Sequence, residues 1–360
     1  MRELHQIPLA NLTTLQVGGA AQRVVDIENE TELAELLSAL HISHESVFVL
    51  GGGSNVVAPD AGWPGTIVRP AIRKVSVQLD GQDVLLQVGA GEIWDDIVAL
   101  CTDNCWTGIT CLSGIPGWAG AAPIQNIGAY GCEVFQALTG VRVVVRSTRL
   151  PSLMTNEQCA FAYRSSVFRG SDQFIVTEIS LRLHRGGANK GETVSYAELA
   201  KALNVRQGAC VPPARVREAV LALRCSKGMV VDSADPESRS AGSYFVNPVV
   251  DASTMRQVES RAVMRGAVEH PLSVPRYQVA EGCFKLPAAW LIEQSGFRKG
   301  MTIGGAGISR KHALAIVNCG GTAADIIRLE HIIRRGVKEA FGIELSREPI
   351  LLELLEHTRS

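Results

Sequence analysis

Residues 114–131 read GIPGWAGAAPIQNIGAYG, a stretch with five glycines, the amide pair Gln125 and Asn126, and no charged side chain. Glycine and alanine leave no bulk above the main chain, so a flat ring or a diphosphate can approach the backbone N–H groups directly. The pattern indicates a backbone surface that binds a ligand. A buried, tightly packed turn is the alternative, since glycine clusters often serve packing or turn geometry.

A second glycine-rich loop lies upstream. The apolar run Val47 to Leu50 stops at Gly51-Gly52-Gly53-Ser54-Asn55, the order expected where a strand ends in a loop whose amides face an anion. One run of glycines would also suit a tight turn. Two such loops in one chain favour a diphosphate ligand.

Composition excludes several partners. With 35 basic and 36 acidic residues the net charge is -1, so no field draws the protein to nucleic acid or to an anionic membrane. No apolar run approaches the roughly 20 residues that cross a bilayer, and the N-terminus lacks the apolar block of a signal peptide. We therefore expect a cytoplasmic protein, and 360 residues favour two or three domains.

The cysteines and histidines do not predict a metal site. The nine cysteines show no C-x-x-C spacing, so we expect reduced, mostly buried thiols. The fragment His41 to Glu45 matches no zinc-protease order, and a surface loop is expected there. Gly89-Ala90-Gly91 and Gly305-Ala306-Gly307 both lack the third glycine of a Rossmann fingerprint. A dinucleotide would need another scaffold.

Periodicity predicts an α+β arrangement. Its expected helices and strands, in chain order, are a helix from Thr31 to Leu40, strands Val47–Leu50 and Thr66–Arg69, a hairpin of Val75–Leu79 with Val84–Val88, a helix from Ile93 to Asn104, strands Val141–Arg146 and Ile175–Leu183, a helix from Thr322 to Gly342, and a last strand from Ile343 to Leu355. The loop-like segment Gly228 to Gly242 is a plausible domain junction.

Five separated motifs occur in one order: GGGSNVV from Gly51, the segment 114–131, FAYR from Phe161, SAGSYFVNP from Ser240 and KLPAAWLIEQSGFRKG from Lys285. Together they resemble the UDP-N-acetylenolpyruvoylglucosamine reductases, the MurB-type flavoenzymes of peptidoglycan synthesis. The resemblance extends from Thr14 to about Glu348, and this chain is similar to the longer subtype with a substrate-covering loop.

The resemblance implies a fold and its domains. It implies an α+β, vanillyl-alcohol-oxidase-type (PCMH-like) FAD-binding domain in two parts, followed by a C-terminal α+β substrate-binding domain. The expected parts are residues 1–70 with 343–360 packing back, residues 71–222, and the substrate domain at 223–342. Noncovalent FAD is the implied cofactor. The expected FAD-binding residues are Gly51, Gly52, Gly53, Ser54, Asn55, Ser113, Gly114, Pro116, Gly117, Gly120, Ala121, Asn126, Gly128, Ala129, Tyr130, Gly131 and Arg224.

The implied reaction reduces the enol ether of UDP-N-acetylglucosamine enolpyruvate with NADPH through the flavin. An enolate forms beside the substrate carboxylate, so it needs a fixed cationic or hydrogen-bonding neighbour and a proton donor. By resemblance Ser243 is the proton donor. Arg164 binds the carboxylate and, with Glu348, stabilises the enolate. Taken alone, these three would read as a loop serine, a surface arginine and an exposed terminal glutamate.

The resemblance also implies substrate contacts at Tyr163, Tyr196, Lys227, Asn247, Tyr277 and Lys285, with Lys227 on the diphosphate. The chain departs from the family pattern at Ser346-Arg347-Glu348-Pro349, where relatives have proline before the glutamate and valine then arginine after it. Arg347 could lower the pKa of Glu348, replace the missing arginine, or point away from it.

Two alternatives stay open from the sequence. An oxidase of the same flavin superfamily would often tether FAD through a histidine near the first glycine loop, but no histidine lies between His44 and His184. A cysteinyl tether through Cys111 or Cys132 remains compatible with the sequence. A binding protein that has lost catalysis is suggested by the altered residues around Glu348. We further expect a monomer without nucleic-acid or membrane partners.

Overall fold

The computed structural model describes residues 1–186 and 191–353. Chain packing forms two compact units, and each consists of separate pieces of sequence. The first unit consists of Met1–Pro8, Ala20–Gly53 and Trp63–Val230; the second consists of Leu9–Gly19, Ser54–Gly62 and the chain from Val231 onward. The chain therefore passes from one unit to the other after Pro8, Gly19, Gly53, Gly62 and Val230.

The first unit contains most of the strands. Its strands and helices are β1 (Arg2–Pro8), β2 (Ala20–Ile27), α1 (Glu30–Ile42), β3 (Val47–Val49), β5 (Trp63–Pro70), β6 (Val75–Asp80), β7 (Asp83–Gly89), α2 (Trp94–Asp103), β8 (Trp106–Thr107), β9 (Gly128–Ala129), β10 (Cys132–Glu133), β11 (Leu138–Val145), β12 (Pro151–Met154), α3 (Asn156–Cys159), β13 (Phe174–Arg185), β14 (Glu192–Val194), α4 (Ala197–Leu203), β15 (Ala209–Val211) and α5 (Pro213–Ser226).

One sheet of the first unit has the strand order β1-β2-β5-β3, with β2, β5 and β3 parallel. Helix α1 packs its leucines against this sheet, where Leu33, Leu37 and Leu40 meet Val25 and Val68 in one buried cluster. Asn29 accepts a hydrogen bond from the Glu32 amide and so begins the helix one residue before the predicted Thr31. Strand β3 ends at Val49, and Leu50 separates it from the first glycine loop.

A second, antiparallel sheet has the order β12-β11-β13-β7-β6, with β8 paired to β13. The predicted hairpin is confirmed, because β6 and β7 pair in register from Val75 with Val88 to Asp80 with Asp83, around Gly81 at a φ of 59°. Alternating buried residues of β13 and β7 pack on α2 in the largest core of this unit. This sheet and α2 pack against the beginning of the segment 114–131.

The second unit has its own core. Its strands and helices are β4 (Val56–Val57), β16 (Val249–Asp251), α6 (Ala252–Met264), β17 (Tyr277–Ala280), β18 (Cys283–Lys285), α7 (Ala288–Gln294), β19 (Thr302–Ile303), β20 (Ala306–Ile308), β21 (Ile316–Asn318), α8 (Ala323–Phe341) and β22 (Ile350–Leu351). This unit contains two three-stranded sheets, of strand order β16-β18-β17 and β19-β20-β21. It also contains the helix α8 and the parallel strand pair β22-β4. Leu15, Val17 and Val57 are buried in the same core as α8.

Helix α8 follows its predicted bounds. Thr322 caps it in a box with Asp325, and Gly342 ends it in the left-handed conformation at a φ of 74°. Asp60 adds a second cap, since its carboxylate oxygens accept from the amides of Ala323 and Ala324 at 2.8 and 2.9 Å. No helix among residues 1–186 and 191–353 has the length and apolar character to span a membrane.

Some expectations differ from the structure. The predicted strand Ile343–Leu355 is wrong over its first part, because among the described residues only Ile350–Leu351 forms a strand there, and its end lies outside the described residues. The expectation of mostly buried cysteines is also wrong, since Cys105, Cys210, Cys225 and Cys319 are exposed. The predicted boundary after residue 222 falls within α5, whereas packing places the boundary after Val230, inside the loop-like segment.

Candidate active site

The predicted site residues divide between the two units. The first unit holds Gly51, Gly52, Gly53, the residues from Ser113 to Gly131, Tyr163, Arg164, Tyr196, Arg224 and Lys227, while the second holds Ser54, Asn55, Ser243, Asn247, Tyr277, Lys285 and Glu348. The passage between the units falls inside the loop Gly51 to Asn55. Each group is described within its own unit.

The glycine loop at the end of β3 leaves its amides available. The Leu50 amide donates to Val68 in the adjoining β5, but the amides of Gly51, Gly52 and Gly53 donate to no other described residue. Gly53 is buried. The buried Gly53 thus lacks the amide partner that buried residues usually have, and such unpaired N–H groups fit a bound anion.

The start of the segment 114–131 is tied to two helices. The Gly114 amide donates to Asp95 Oδ1 at 2.6 Å, and Arg217 on α5 binds both oxygens of Asp95 at 2.7 and 2.8 Å. Burial opposes the charged form of Asp95, but these hydrogen bonds outweigh it and lower the pKa of that carboxyl. Asp95, which the sequence does not single out, therefore fixes where the segment begins.

Several glycines of these loops are required by the protein itself. A Cβ on Gly52 would lie 2.8 Å from Gly117 Cα, and Gly117 has a φ of 117°. The amides of Ala119 and Gly120 donate to Glu92 and Ala90 rather than to a ligand. The alternative of packing and turn geometry thus accounts for part of the glycine pattern, alongside the available amides of Gly51 to Gly53.

Arg224 presents an unsatisfied cationic group. Its Nη2 donates to the Met229 carbonyl at 2.7 Å, but its Nε is buried and has no hydrogen-bond partner among the described residues. Burial lowers the pKa of this guanidinium. A buried donor without a partner is costly, so the site fits an anionic or carbonyl group of a cofactor.

Arg164 is bound to the segment 114–131. Its Nη2 donates to the Gly128 carbonyl at 2.7 Å and its Nη1 to the Asn126 carbonyl at 3.4 Å. The guanidinium lies 5.4 Å from the centre of the Tyr163 ring. Arg164 has a φ of 52°, a strained conformation for a long side chain that clusters at functional sites. A plain surface arginine is excluded.

Two predicted cofactor contacts use their side chains within the protein. The Asn126 side chain donates to Glu133 at 2.8 Å and to the Ala162 carbonyl at 3.1 Å, and it accepts from the Phe135 amide. The Ser113 hydroxyl donates to the Thr110 carbonyl at 2.6 Å. The donor groups of both side chains are therefore used within the protein.

Tyr130, Tyr196 and Lys227 form one cluster. The Tyr130 and Tyr196 rings meet edge to face at 5.8 Å, and the Lys227 ammonium lies 5.7 Å from the Tyr130 ring centre. Burial raises the pKa of Tyr130 to about 12, so its hydroxyl stays protonated. Glu198, which the sequence does not single out, pairs with Lys227 at 2.7 Å.

In the second unit, Ser243 and Glu348 lie on paired segments. The Glu348 amide donates to the Tyr244 carbonyl at 2.9 Å, and the Val246 amide donates to the Ser346 carbonyl at 3.0 Å. Asn55 joins them, because its side chain donates to the Glu348 carbonyl at 3.3 Å and its own carbonyl accepts from the Ile350 amide at 2.9 Å. Glu348 is only 8% exposed, so the reading as an exposed terminal glutamate is wrong.

Thr14 forms hydrogen bonds to the segments that contain Asn55 and Ser243. Its hydroxyl lies 2.7 Å from the Ser240 carbonyl and 3.4 Å from the Ser54 carbonyl, within the second unit. The sequence gives no signal for this role beyond the start of the resemblance at Thr14.

The other predicted substrate contacts lie on the sheet of β16, β18 and β17. Tyr277 on β17 pairs with Lys285 on β18, and Tyr277 is exposed. Asn247 precedes β16 and accepts from the Ala288 amide at 2.8 Å, so it caps α7. Tyr277 and Lys285 are thus direct neighbours, while the carboxamide oxygen of Asn247 serves the fold.

Known proteins are similar to this chain along nearly its whole length. A family described as FAD binding domain matches residues 21–150, and one described as UDP-N-acetylenolpyruvoylglucosamine reductase, C-terminal domain matches residues 235–352. The crystal structure of the reductase from Thermus caldophilus shares this fold, with a TM-score of 0.63 and 24% identity over 98% of both chains. The predicted α+β fold, with an FAD-binding domain followed by the C-terminal domain of this reductase type, is confirmed.

Relatives named UDP-N-acetylenolpyruvoylglucosamine reductase are closer in sequence. The one from Thermobifida fusca (strain YX) is 43% identical, over 96% of this chain and 97% of the relative. The one from Salinispora arenicola (strain CNS-205) is 45% identical, over 96% of this chain and 94% of the relative. The chain therefore belongs to the UDP-N-acetylenolpyruvoylglucosamine reductase family.

Proposed function

We propose that this chain reduces UDP-N-acetylenolpyruvoylglucosamine to UDP-N-acetylmuramate with NADPH and bound FAD, in peptidoglycan synthesis. When bound, FAD supplies the acceptance and delivery of a hydride. The amides of Gly51 to Gly53 and the buried Nε of Arg224 fit its anionic and carbonyl groups. The segment 114–131 would line the rest of the cofactor.

The proposed roles follow from side-chain chemistry. Arg164 binds the substrate carboxylate, since a guanidinium offers paired donors and stays charged. Ser243 gives a proton to the substrate carbon, and Glu348 stabilises the enolate that forms beside the carboxylate. The observation that carries these roles is the backbone pairing that sets the Ser243-Tyr244 segment against Glu348, with Asn55 of the glycine loop hydrogen-bonded to Glu348.

Substrate binding is proposed for the aromatic and basic residues around these groups. Lys227 would bind the diphosphate, next to Tyr130 and Tyr196, once Glu198 releases it. Tyr163 lies beside Arg164, and Tyr277 with Lys285 would contact the substrate from β17 and β18. Asn247 is the weakest of these assignments, because its carboxamide oxygen already caps α7.

Anaerobic stopped-flow absorbance tests the reaction. NADPH should bleach the flavin of the purified protein, and the enolpyruvyl substrate should restore its colour. Ser243→Ala should slow this reoxidation by about 10²- to 10⁴-fold, the usual contribution of a positioned acid, with flavin reduction unchanged. Ser233→Ala, at an exposed serine, is the matched control. If the substrate does not reoxidise the reduced flavin, the proposal is rejected and a binding protein without catalysis is favoured.

We also propose that the protein acts as a cytoplasmic monomer without nucleic-acid or membrane partners. The net charge of -1 supports the absence of a polyanionic partner. Sedimentation of the FAD-loaded protein should give a single species of the 38.6 kDa monomer mass. A dimer at micromolar concentration would contradict the monomer.

A further inference from the structure

Glu330 on α8 is a charged residue in the core of the second unit. It is 0% exposed, and it lies one turn from Ile326 and beside Leu329 on the buried face of the helix. The Tyr244 hydroxyl donates to its Oε2 at 3.0 Å, and the Arg347 Nε donates to the same oxygen at 2.7 Å. Arg334 lies 3.5 Å from the other oxygen, Oε1.

Stability alone is a weak reason to keep this carboxylate. Taking a carboxylate out of water is expensive, and apolar residues of similar size often replace a buried ion pair without loss of stability. The surrounding positions of α8 are apolar, as the cluster around Ile326, Leu329 and Ile333 shows. A geometric task is the better explanation for an ionic group at this position.

The two partners of Glu330 flank the proposed catalytic residues. Tyr244 directly follows Ser243, and Arg347 directly precedes Glu348. The same two segments are joined by the backbone hydrogen bonds of Glu348 to Tyr244 and of Val246 to Ser346. A single carboxylate oxygen therefore ties both segments to one rigid helix, in addition to their direct pairing.

We propose that Glu330 is a positioning residue that fixes the spacing of Ser243 and Glu348 through Tyr244 and Arg347. The inference rests on the proposed function, which gives Ser243 and Glu348 their roles. It also assigns a task to Arg347, the residue at which this chain departs from the family pattern. A displacement of about 1 Å at a reacting group can cost about 10²-fold in rate, so a loosened anchor should be visible in kinetics.

The test uses the FAD-loaded full-length protein and the variant Glu330→Gln. Glutamine keeps the shape of the side chain and can accept from Tyr244, but it loses the charge that holds Arg347. Reoxidation by the enolpyruvyl substrate should slow by about 10- to 100-fold, while reduction of the flavin by NADPH stays unchanged. Glu344→Gln is the matched control, because Glu344 pairs with Arg334 and Lys338 but is 62% exposed. It should leave both half-reactions unchanged.

A double-variant cycle separates positioning from mere stability. If Glu330 acts through Arg347, adding Arg347→Gln to Glu330→Gln should slow reoxidation no further, since both changes break the same link. Tyr244→Phe removes only one hydroxyl and should give a smaller loss in reoxidation alone. It keeps the inference testable if Glu330→Gln does not fold.

Three outcomes decide the matter. Reoxidation of Glu330→Gln at the wild-type rate would overturn the inference. Equal losses in both half-reactions that follow a lowered melting temperature would also overturn it, because they indicate a structural role. A wild-type protein whose reduced flavin ignores the substrate would instead reject the proposed function itself, so the two failures are distinguishable.

Discussion

Among single residues, Arg224 gives the strongest indication of a bound group. Its Nε is buried without a hydrogen-bond partner in the described part of the chain, although burial already lowers the pKa of its guanidinium. An arginine in such surroundings destabilises the protein unless another molecule accepts the hydrogen bond from its Nε. The most direct test of cofactor binding is therefore a change at this position.

Arg224→Met should weaken FAD binding about 10- to 100-fold, because hydrogen bonds to charged groups contribute about 1.5–3 kcal/mol. The melting temperature of the FAD-free protein should change little, because removal of the unpaired Nε offsets the loss of the Nη2 hydrogen bond to the Met229 carbonyl. Arg215→Met, at an exposed position of the same helix, is the control. Fluorescence titration with FAD measures both affinities, and equal affinities would contradict the assignment.

The resemblance predicts a cofactor contact at Arg224, but the sequence does not show that its Nε is buried without a partner among the described residues. Glu330 was missed altogether, because a glutamate in an amphipathic helix usually lies on the solvated face. Its partners Tyr244 and Arg347 are 86 and 17 residues away, and only the fold brings them together. Similarly, the pairing of Asp95 with Gly114 depends on where α2 and α5 pack.

At the scale of elements, the two glycine loops of the first unit meet at Gly52 and Gly117. Their main chains are close enough that a methyl group on Gly52 would lie 2.8 Å from Gly117 Cα. Gly51, one residue earlier, has ordinary contacts, since its Cβ would lie 3.5 Å from Ala121. A comparison of alanine substitutions at Gly51 and Gly52 therefore tests whether the close contact, and not merely the loss of a glycine, affects stability.

Gly52→Ala should destabilise the protein by about 1–3 kcal/mol, the usual cost of overpacking. Gly51→Ala should leave the stability of the FAD-free protein nearly unchanged, because its φ needs no glycine and its new methyl group has room. Chemical denaturation of the two variants without FAD measures the difference. Equal stabilities would show that the two loops do not pack as described.

The link between α2, Gly114 and α5 through Asp95 predicts a pH dependence. The folded pKa of Asp95 is lowered, so its contribution to stability is complete above the unfolded pKa of 3.8 and is lost as the pH falls through the folded value. Asp95→Asn should lower stability at pH 7 and reduce its further loss below about pH 4. Asp96→Asn, at the exposed neighbour, should do neither. Urea unfolding at several pH values checks this.

At the scale of the whole molecule, the second unit consists of three pieces of sequence. Leu15, Val17 and Val57 are buried in its core, and the Asn318 side chain donates to the carbonyls of Leu15 and Gln16. Asp60 caps α8 from the same early part of the chain. The domain scheme predicted from the sequence places residues 1–70 in one part and so does not include these contacts with the C-terminal region. Contacts between residues so distant in sequence leave no local pattern from which they could be predicted.

A fragment of residues 231–360 should not fold cooperatively. It lacks three core side chains, each of which contributes about 1.5–3 kcal/mol when buried. Their sum is comparable with the about 5–15 kcal/mol that stabilises a whole domain. Circular dichroism during heating should show a broad, non-cooperative change for the fragment and a sharp one for the full chain. A sharp transition in the fragment would contradict the role of the early segments.

The passage of the chain between its units limits how such reductases can recombine. A hybrid made by joining two relatives after residue 230 would give the second unit one parent's helices and the other parent's residues 9–19 and 54–62. Core side chains from one parent would then pack against core side chains from the other wherever the two sequences differ. An exchange of the second unit alone therefore has to replace all three pieces and leave the segments between them, which no single crossover can do.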